Sequence, residues 1–216
     1  MTKRRYGVAM VRAMILSCLV VALAACGGGG GGGGGSGIDP RLARLDIYEA
    51  QRLRVLGDPA AGVVGLPPTP RTGLPDAGQV TFDGAATIQI AQPAGLWSLA
   101  GDAALTLDFA GNSASGSVTA VFGDSSAGGI VDYAGSLALG GAVDDAVFAL
   151  GYAGTLTAGG DVLVFDGDLV TTVLGDPVAG IAGLDLEAVI DHGGAQRQGS
   201  VVIFGEGAVT PPAPQP

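Results

Sequence analysis

The sequence predicts an all-β protein, an eight-stranded antiparallel meander β-barrel preceded by a short α-helix. Three observations carry this expectation. Between residues 76 and 206, short runs rich in Val, Ile, Leu, Thr and Phe are broken at nearly regular intervals by Gly, Asp, Asn and Ser. Within the runs apolar residues recur at every second position, as in Leu105, Leu107 and Phe109, a period that packs one face of a sheet and leaves the other wet. The breaks are mostly short and glycine-bearing, which suits hairpins, and closing such a meander removes its exposed edges.

The N-terminus reads differently from the rest. Lys3, Arg4, Arg5 and Arg12 surround the start of an apolar run from Met14 to Ala25, which ends in Leu23-Ala24-Ala25-Cys26. A basic start, an apolar stretch and a small-residue site make a secretory signal over residues 1–25. An apolar run of about a dozen residues is short of the roughly 20 that span a bilayer. The retained cysteine makes the site similar to the lipobox of bacterial lipoproteins, which implies lipidation of Cys26 and anchoring to a membrane. Gly27 follows the cysteine, and by the sorting rule of such lipoproteins this implies the outer membrane, with the periplasmic or extracellular face left open. Residues 26–37 then form a tether, nearly all glycine, whose composition gives a root-mean-square span of roughly 20 Å.

Residues 38–57 are expected to form a spacer helix. Asp39 caps it, Pro40 takes its first position, and Gly57 stops it. Leu42, Leu45, Tyr48, Leu53 and Leu56 recur at helical spacing, which predicts packing against the end of the following domain. The pairs Arg41/Arg44 and Arg52/Arg54 on this helix suit either anionic lipid or an acidic partner surface. Residues 58–75 read as a linker, with four prolines between Leu66 and Pro75.

The barrel is assigned to residues 76–207. Its eight strands are expected at 79–91, 102–109, 114–122, 130–139, 146–156, 162–169, 183–191 and 199–205. Turns fall at Gly111-Asn112, Gly123 to Gly129, Gly140-Gly141, Gly159-Gly160 and Gly193-Gly194. Thr171 to Ala182, broken by Asp176-Pro177, reads as a loop or short helical turn. Interior candidates are Val118, Phe122, Val131, Tyr133, Phe148, Leu150, Tyr152, Phe165 and Ile203. With so much alanine and glycine around them, they suit a narrow filled core better than an open calyx. Residues 208–216 are expected to be a disordered proline-rich tail.

Charge restricts the partners. Loss of the signal removes four basic residues and leaves 6 basic against 20 acidic side chains, a formal net charge of −14. After residue 72, Arg197 is the only basic residue, against sixteen acidic ones. Such a surface repels phosphate backbones, so nucleic acid is not an expected partner. Cys18 leaves with the signal and Cys26 takes the lipid, so the folded part has no disulfide and no thiol chemistry.

Chemistry-bearing candidates are few. His192, the single histidine, lies at Asp191-His192-Gly193-Gly194 and is expected to be exposed in a hairpin turn. No catalytic residue is assigned, and an enzyme is not expected. Asp144-Asp145, Asp161, Asp166 and Asp168 could offer oxygen ligands to calcium. They lack a twelve-residue loop ending in glutamate and read as solvated turn carboxylates, so no metal site and no cofactor is assigned. Trp97, the single tryptophan, is read as a core or loop packing residue that anchors the loop between the first two strands, with an exposed contact role as the alternative.

Four phrases in order resemble a known family. They are Leu74-Pro75 through Gly78-Gln79-Val80-Thr81-Phe82-Asp83-Gly84; Leu105-Thr106-Leu107-Asp108-Phe109 with Ala114-Ser115-Gly116-Ser117-Val118; Tyr152-Ala153-Gly154; and Phe165-Asp166-Gly167-Asp168-Leu169 through Gly175-Asp176-Pro177 and Ile181-Ala182-Gly183. Together these are similar to the small β-barrel domain of transferrin-binding protein B and related surface lipoproteins of Gram-negative bacteria. The likeness departs at Phe82, where tyrosine is common, and at Val173-Leu174-Gly175, where the family has a Phe-Tyr-Gly core. It departs also in having one barrel and no handle domain beside it, and the likeness implies display at the outer membrane. There it would bind a protein partner such as a TonB-dependent receptor, or a carried nutrient in iron or haem acquisition. The alternatives are a structural envelope lipoprotein without a captured ligand, or a lipocalin-like carrier of a small apolar molecule.

Overall fold

The computed structural model describes residues 39–210. The signal peptide, Cys26, the glycine tether and residues 211–216 lie outside them. Helix α1 spans Pro40–Val55, starting as expected: the Asp39 side chain accepts from the backbone N–H of Arg41, and proline occupies the first turn. Two two-residue strands, β1 (Gly57–Asp58) and β2 (Val63–Val64), pair as a small hairpin inside the segment read as linker. A single 3-10 turn at Arg71–Gly73 leads into the barrel.

The barrel strands are β3 (Gln79–Gln92), β4 (Gly95–Asp108), β5 (Ser113–Asp124), β6 (Ile130–Asp132), β7 (Ala134–Ala142), β8 (Val147–Ala158), β9 (Asp161–Leu174), β10 (Gly180–His192) and β11 (Ala195–Thr210). β6 and β7 both pair with β5 and are one strand interrupted at Tyr133, which gives the eight staves of the predicted meander. Each stave pairs antiparallel with its chain neighbours, and β11 pairs with β3 from Gln79 to Ile90 to close the ring. Closure satisfies the backbone of both outer strands, which an open sheet would leave as edges.

The inner face is filled. Inward residues such as Phe82, Ile88, Leu107, Val118, Leu137, Leu150, Leu156, Leu163, Phe165, Leu169 and Ile203 form one continuous apolar cluster, each at most 3% exposed. Apolar residues inside and Asp, Thr, Ser and Gln outside are the reverse of the pattern of a barrel that spans a membrane.

One position read as interior lies elsewhere. β5 carries a bulge where the β4–β5 register shifts between Ala100 and Asp102, and Ala120 has φ +49°. One extra residue inverts the alternation beyond it. Val118 and Val121 therefore point in, whereas Phe122 points out and is buried under α1. A second bulge in β10, between Asp185 and Ala188, sends Leu186 out and keeps Ala188 and Ile190 in. Val162 and Val164 are also outward, with Leu163 and Phe165 facing the core. The segment 171–182 is mostly strand: Thr171–Leu174 finish β9, a turn covers 175–179, and β10 starts at Gly180. β11 likewise continues to Thr210, into the stretch read as tail.

α1 packs along the outer wall, not against the barrel end as the leucine spacing suggested. Tyr48 and Val55 are its buried residues, and they cover Ala85, Ala100, Phe122, Leu174, Ala182, Val202 and Phe204 on the outside of neighbouring staves. Leu42 is left 42% exposed. All four helix arginines are satisfied by carboxylates: Arg41 by Asp39 and Asp132, Arg44 by Asp102, Arg52 by Glu49, and Arg54 by Glu206. One arginine of each pair, Arg44 and Arg54, thus serves the acidic barrel, whereas Arg52 pairs within the helix and Arg41 chiefly with its cap.

Candidate functional site

The barrel has two unlike ends. The chain end holds the start of β3, the end of β11 and the turns 108–113, 142–147 and 174–180. The linker closes over part of it: Pro68 bridges Leu174, and the Thr69 hydroxyl donates to the Gly175 carbonyl at 2.6 Å. The hairpin end holds the turns 92–95, 124–130, 158–161 and 192–195, and it gathers most of the polar side chains turned into the barrel.

Cross-strand register places these side chains. Trp97 faces Ile90, Arg197 faces Ile190, and His192 faces Leu163, all opposite buried core residues. Residues directly opposite in an antiparallel pair share a face, so Trp97, Arg197 and His192 line the mouth from inside. Asp161, the first residue of β9, is turned in with them and is 4% exposed. Trp97 is therefore a strand residue that packs on the inner cluster and meets the His192 ring at 5.1 Å between centroids. This is core packing and not an exposed contact.

His192 is not the exposed turn residue its flanking glycines suggested. Its Nε2 stands 3.1 Å from Asp161 Oδ1 and its Nδ1 stands 3.3 Å from Gln92 Oε1, with the side chain 16% exposed. Gln92 Nε2 is buried with no partner. Turning the amide over would make that nitrogen the donor to Nδ1. Asp161 Oδ2 also accepts the backbone N–H of Ser126 at 2.9 Å, which ties the loop after β5 across the mouth. Burial pushes the Asp161 carboxyl up. The Ser126 backbone and hydroxyl and the His192 ring outweigh this and hold it below the usual carboxylate value. Tyr133 braces the same loop by donating to the Asp124 carbonyl at 2.6 Å. Desolvation first, then the nearby Asp161 and Asp124 charges, push its hydroxyl up to about 12.

Of the carboxylates weighed for calcium, Asp161 is committed to this mouth, whereas Asp166 and Asp168 lie on the outer face of β9 and Asp144 is exposed in its turn. Arg71 stands 3.7 Å from Asp145. Among the described residues, no three His, Cys, Asp or Glu side chains gather closely enough to hold a metal ion.

No protein-family model and no curated protein matches this chain. The mouth must be judged on its own geometry. It is a polar seal, with a histidine engaged at both nitrogens, a buried carboxylate and a strapped loop, set above an apolar interior packed throughout.

A second polar contact inside the wall escaped sequence reasoning. Between the pairs Leu184–Val170 and Asp191–Val164 the β9–β10 ladder is interrupted. There Tyr152 lies over Gly167, where an added Cβ would come within 2.6 Å of its oxygen, and its hydroxyl donates to Asp185 at 2.7 Å. Burial and then the Asp185 carboxylate push the Tyr152 hydroxyl well above its ordinary value. The signal was Gly167 opposite Tyr152, visible only once the register is known.

Proposed function

We propose that this chain is an envelope lipoprotein, anchored to the outer membrane through lipid on Cys26, whose barrel works through its outer surface and holds no captured ligand. One observation carries the second half of this reading. The interior is occupied by the protein's own side chains, whereas carriers of drug-sized ligands have pockets of about 300–1,000 Å³. The lipobox at Leu23 to Cys26 carries the first half. The likeness to transferrin-binding protein B agrees with the eight-stave meander, because its phrases fall on β3, β4, β5, β8, β9 and β10 of one closed ring. Non-catalytic action is supported at the mouth: both ring nitrogens of His192 are engaged, which leaves none to serve as a base toward a nucleophile.

The test is labelling in the producing bacterium with radioactive palmitate, followed by solvent extraction of the purified chain. The reading expects label on the wild type, none on Cys26→Ser, and no apolar molecule in the extract. An apolar molecule recovered mole for mole would restore the carrier reading.

A second reading, engagement of a protein partner such as an outer-membrane receptor, is favoured by the bare wall. Val147, Val162, Val164, Val170, Leu186 and Val189 stand 41–63% exposed on the outside of β8, β9 and β10. Asp166, Asp168, Glu187 and Asp191 border them. An apolar strip with an acidic rim fits a protein surface with an apolar centre and basic flanks. Val164→Asp combined with Val189→Asp should abolish cross-linking to such a partner on whole cells and leave the fold intact. Unchanged cross-linking would remove this reading.

A further inference from the structure

Helix α1, strapped along the barrel wall, bears on how the barrel hangs from its anchor. We infer that the hairpin end of the barrel faces the lipid headgroups and that the chain end, with the C-terminus, is presented away from them. This rests on the proposed lipidation of Cys26 and adds what that reading leaves open, the orientation of the domain.

α1 is clamped along its whole length, so its N-terminus has one address. At its start, Arg41 Nη1 donates to the Ile130 carbonyl at 2.8 Å and lies 3.7 Å from Asp132, both at the hairpin end. Midway, Arg44 Nη2 donates to the Ala120 carbonyl at 3.0 Å and meets Asp102 at 3.1 Å. Further on, Gln51 Nε2 donates to the Asp83 carbonyl at 2.7 Å. At its end, Arg54 pairs with Glu206 at 2.7 Å, and the Val55 carbonyl accepts from Leu66, beside Gly180 at the chain end. The helix therefore runs from the hairpin end to the chain end, and the chain leading back to Cys26 departs beside Ile130.

The length of that chain does the rest. Only residues 27–38 separate Cys26 from Asp39. Thirteen covalent steps reach at most about 45 Å, and a glycine-rich chain of this length averages roughly 20 Å. To bring the chain end to the bilayer, the same residues would have to run back past a sixteen-residue helix, about 24 Å long, on the barrel wall. That takes about half of the full reach and exceeds the average span, whereas the hairpin end needs none of it. The surface so placed is suited to a neutral headgroup layer. Leu96 (56% exposed) and Ile130 (36%) stand out from its turns and strand starts. Asp124, Asp132 and Asp191 at the same end oppose close approach to anionic lipid.

The test uses the lipidated full-length chain in phosphatidylcholine vesicles with nitroxide-labelled headgroups. The mature chain has no thiol besides the lipidated Cys26, so single cysteines can be placed in exposed turns, Ala127→Cys at the hairpin end and Asp144→Cys at the chain end, and each coupled to a fluorophore. Strands of fourteen residues, roughly 45 Å long and tilted by about 40° as barrel strands are, separate the two ends by roughly 35 Å, so quenching at 127 should exceed that at 144 by about twofold or more. Equal quenching, or stronger quenching at 144, would overturn the inference while co-flotation with vesicles leaves the anchor reading standing. Failure of the chain to co-float, or co-flotation of its Cys26→Ser form, would sink the anchor reading and the orientation with it.

Discussion

The two walls of the barrel carry the same kind of outward residue and treat it in opposite ways. Under α1, Phe122, Val202 and Phe204 point away from the barrel axis and are at most 7% exposed. On the opposite wall, Val164, Val170 and Val189 also point outward and are 41–63% exposed. Outward apolar positions on a half-wet sheet are ordinarily unremarkable. Here the strapped wall gains a second, smaller core outside the ring, and the bare wall does not. The comparison teaches that alternation within a strand reports which face a side chain takes, and that burial of the outer face depends on what lies across it.

The sharpest way to break this contrast is Phe204→Ala. Phe204 is fully buried between α1 and the wall, so the substitution should cost about 3–5 kcal/mol in urea unfolding. A loss below 1 kcal/mol would mean that α1 is not a fixed strap.

Alkali should release the strap next. Desolvation, and then the hydrogen bond it donates to Asp102, push the Tyr48 hydroxyl up to about 12 from its ordinary 10.0. The folded state thus favours the protonated phenol. Its contribution is complete below pH 10 and is lost as pH rises through about 12. Tyr48→Phe should flatten the fall in stability over that window. An unchanged profile would show that another group governs it.

Asp102→Asn removes the charge shared by Tyr48 and Arg44. With the Asp102 side chain 54% exposed, the loss should stay within about 1 kcal/mol, and added salt should shrink it. On the bare wall, Val170→Thr should shift stability by less than about 0.5 kcal/mol, as surface changes generally do. A larger effect would mean that this wall is covered in solution, and analytical ultracentrifugation would show whether a second copy covers it.

Much of the fold was legible in the chain. The eight staves, their order and most of the glycine turns follow from period-two runs and breaks, and the capped helix from Asp39-Pro40; Gly140-Gly141, read as a turn, instead lie within β7, and the chain turns just beyond them, between Ala142 and Val147. What misled was parity. Ala120 and the bulge in β10 each insert one residue, so Phe122 and Leu186 took faces that simple alternation did not predict. The mouth was less legible still. His192 beside two glycines looks like a turn residue, yet it is the last residue of β10, held by Gln92 one hundred residues earlier and Asp161 thirty-one earlier. Trp97 was hidden in the same way, because Pro93 and Gly95 suggested a loop where β4 had already begun.

By itself, the sequence determined the fold class: the acidic surface, the helix, and a meander long enough to close. These depend on local pattern, on composition and on which residues are small enough to turn. Only the tertiary structure decided that α1 lies along the wall, that Arg44 and Arg54 face the barrel's carboxylates, and that His192, Asp161 and Gln92 meet at one end. Those contacts depend on shear, register and bulges, which set the neighbours of residues far apart in the chain and leave no periodic trace within any one strand.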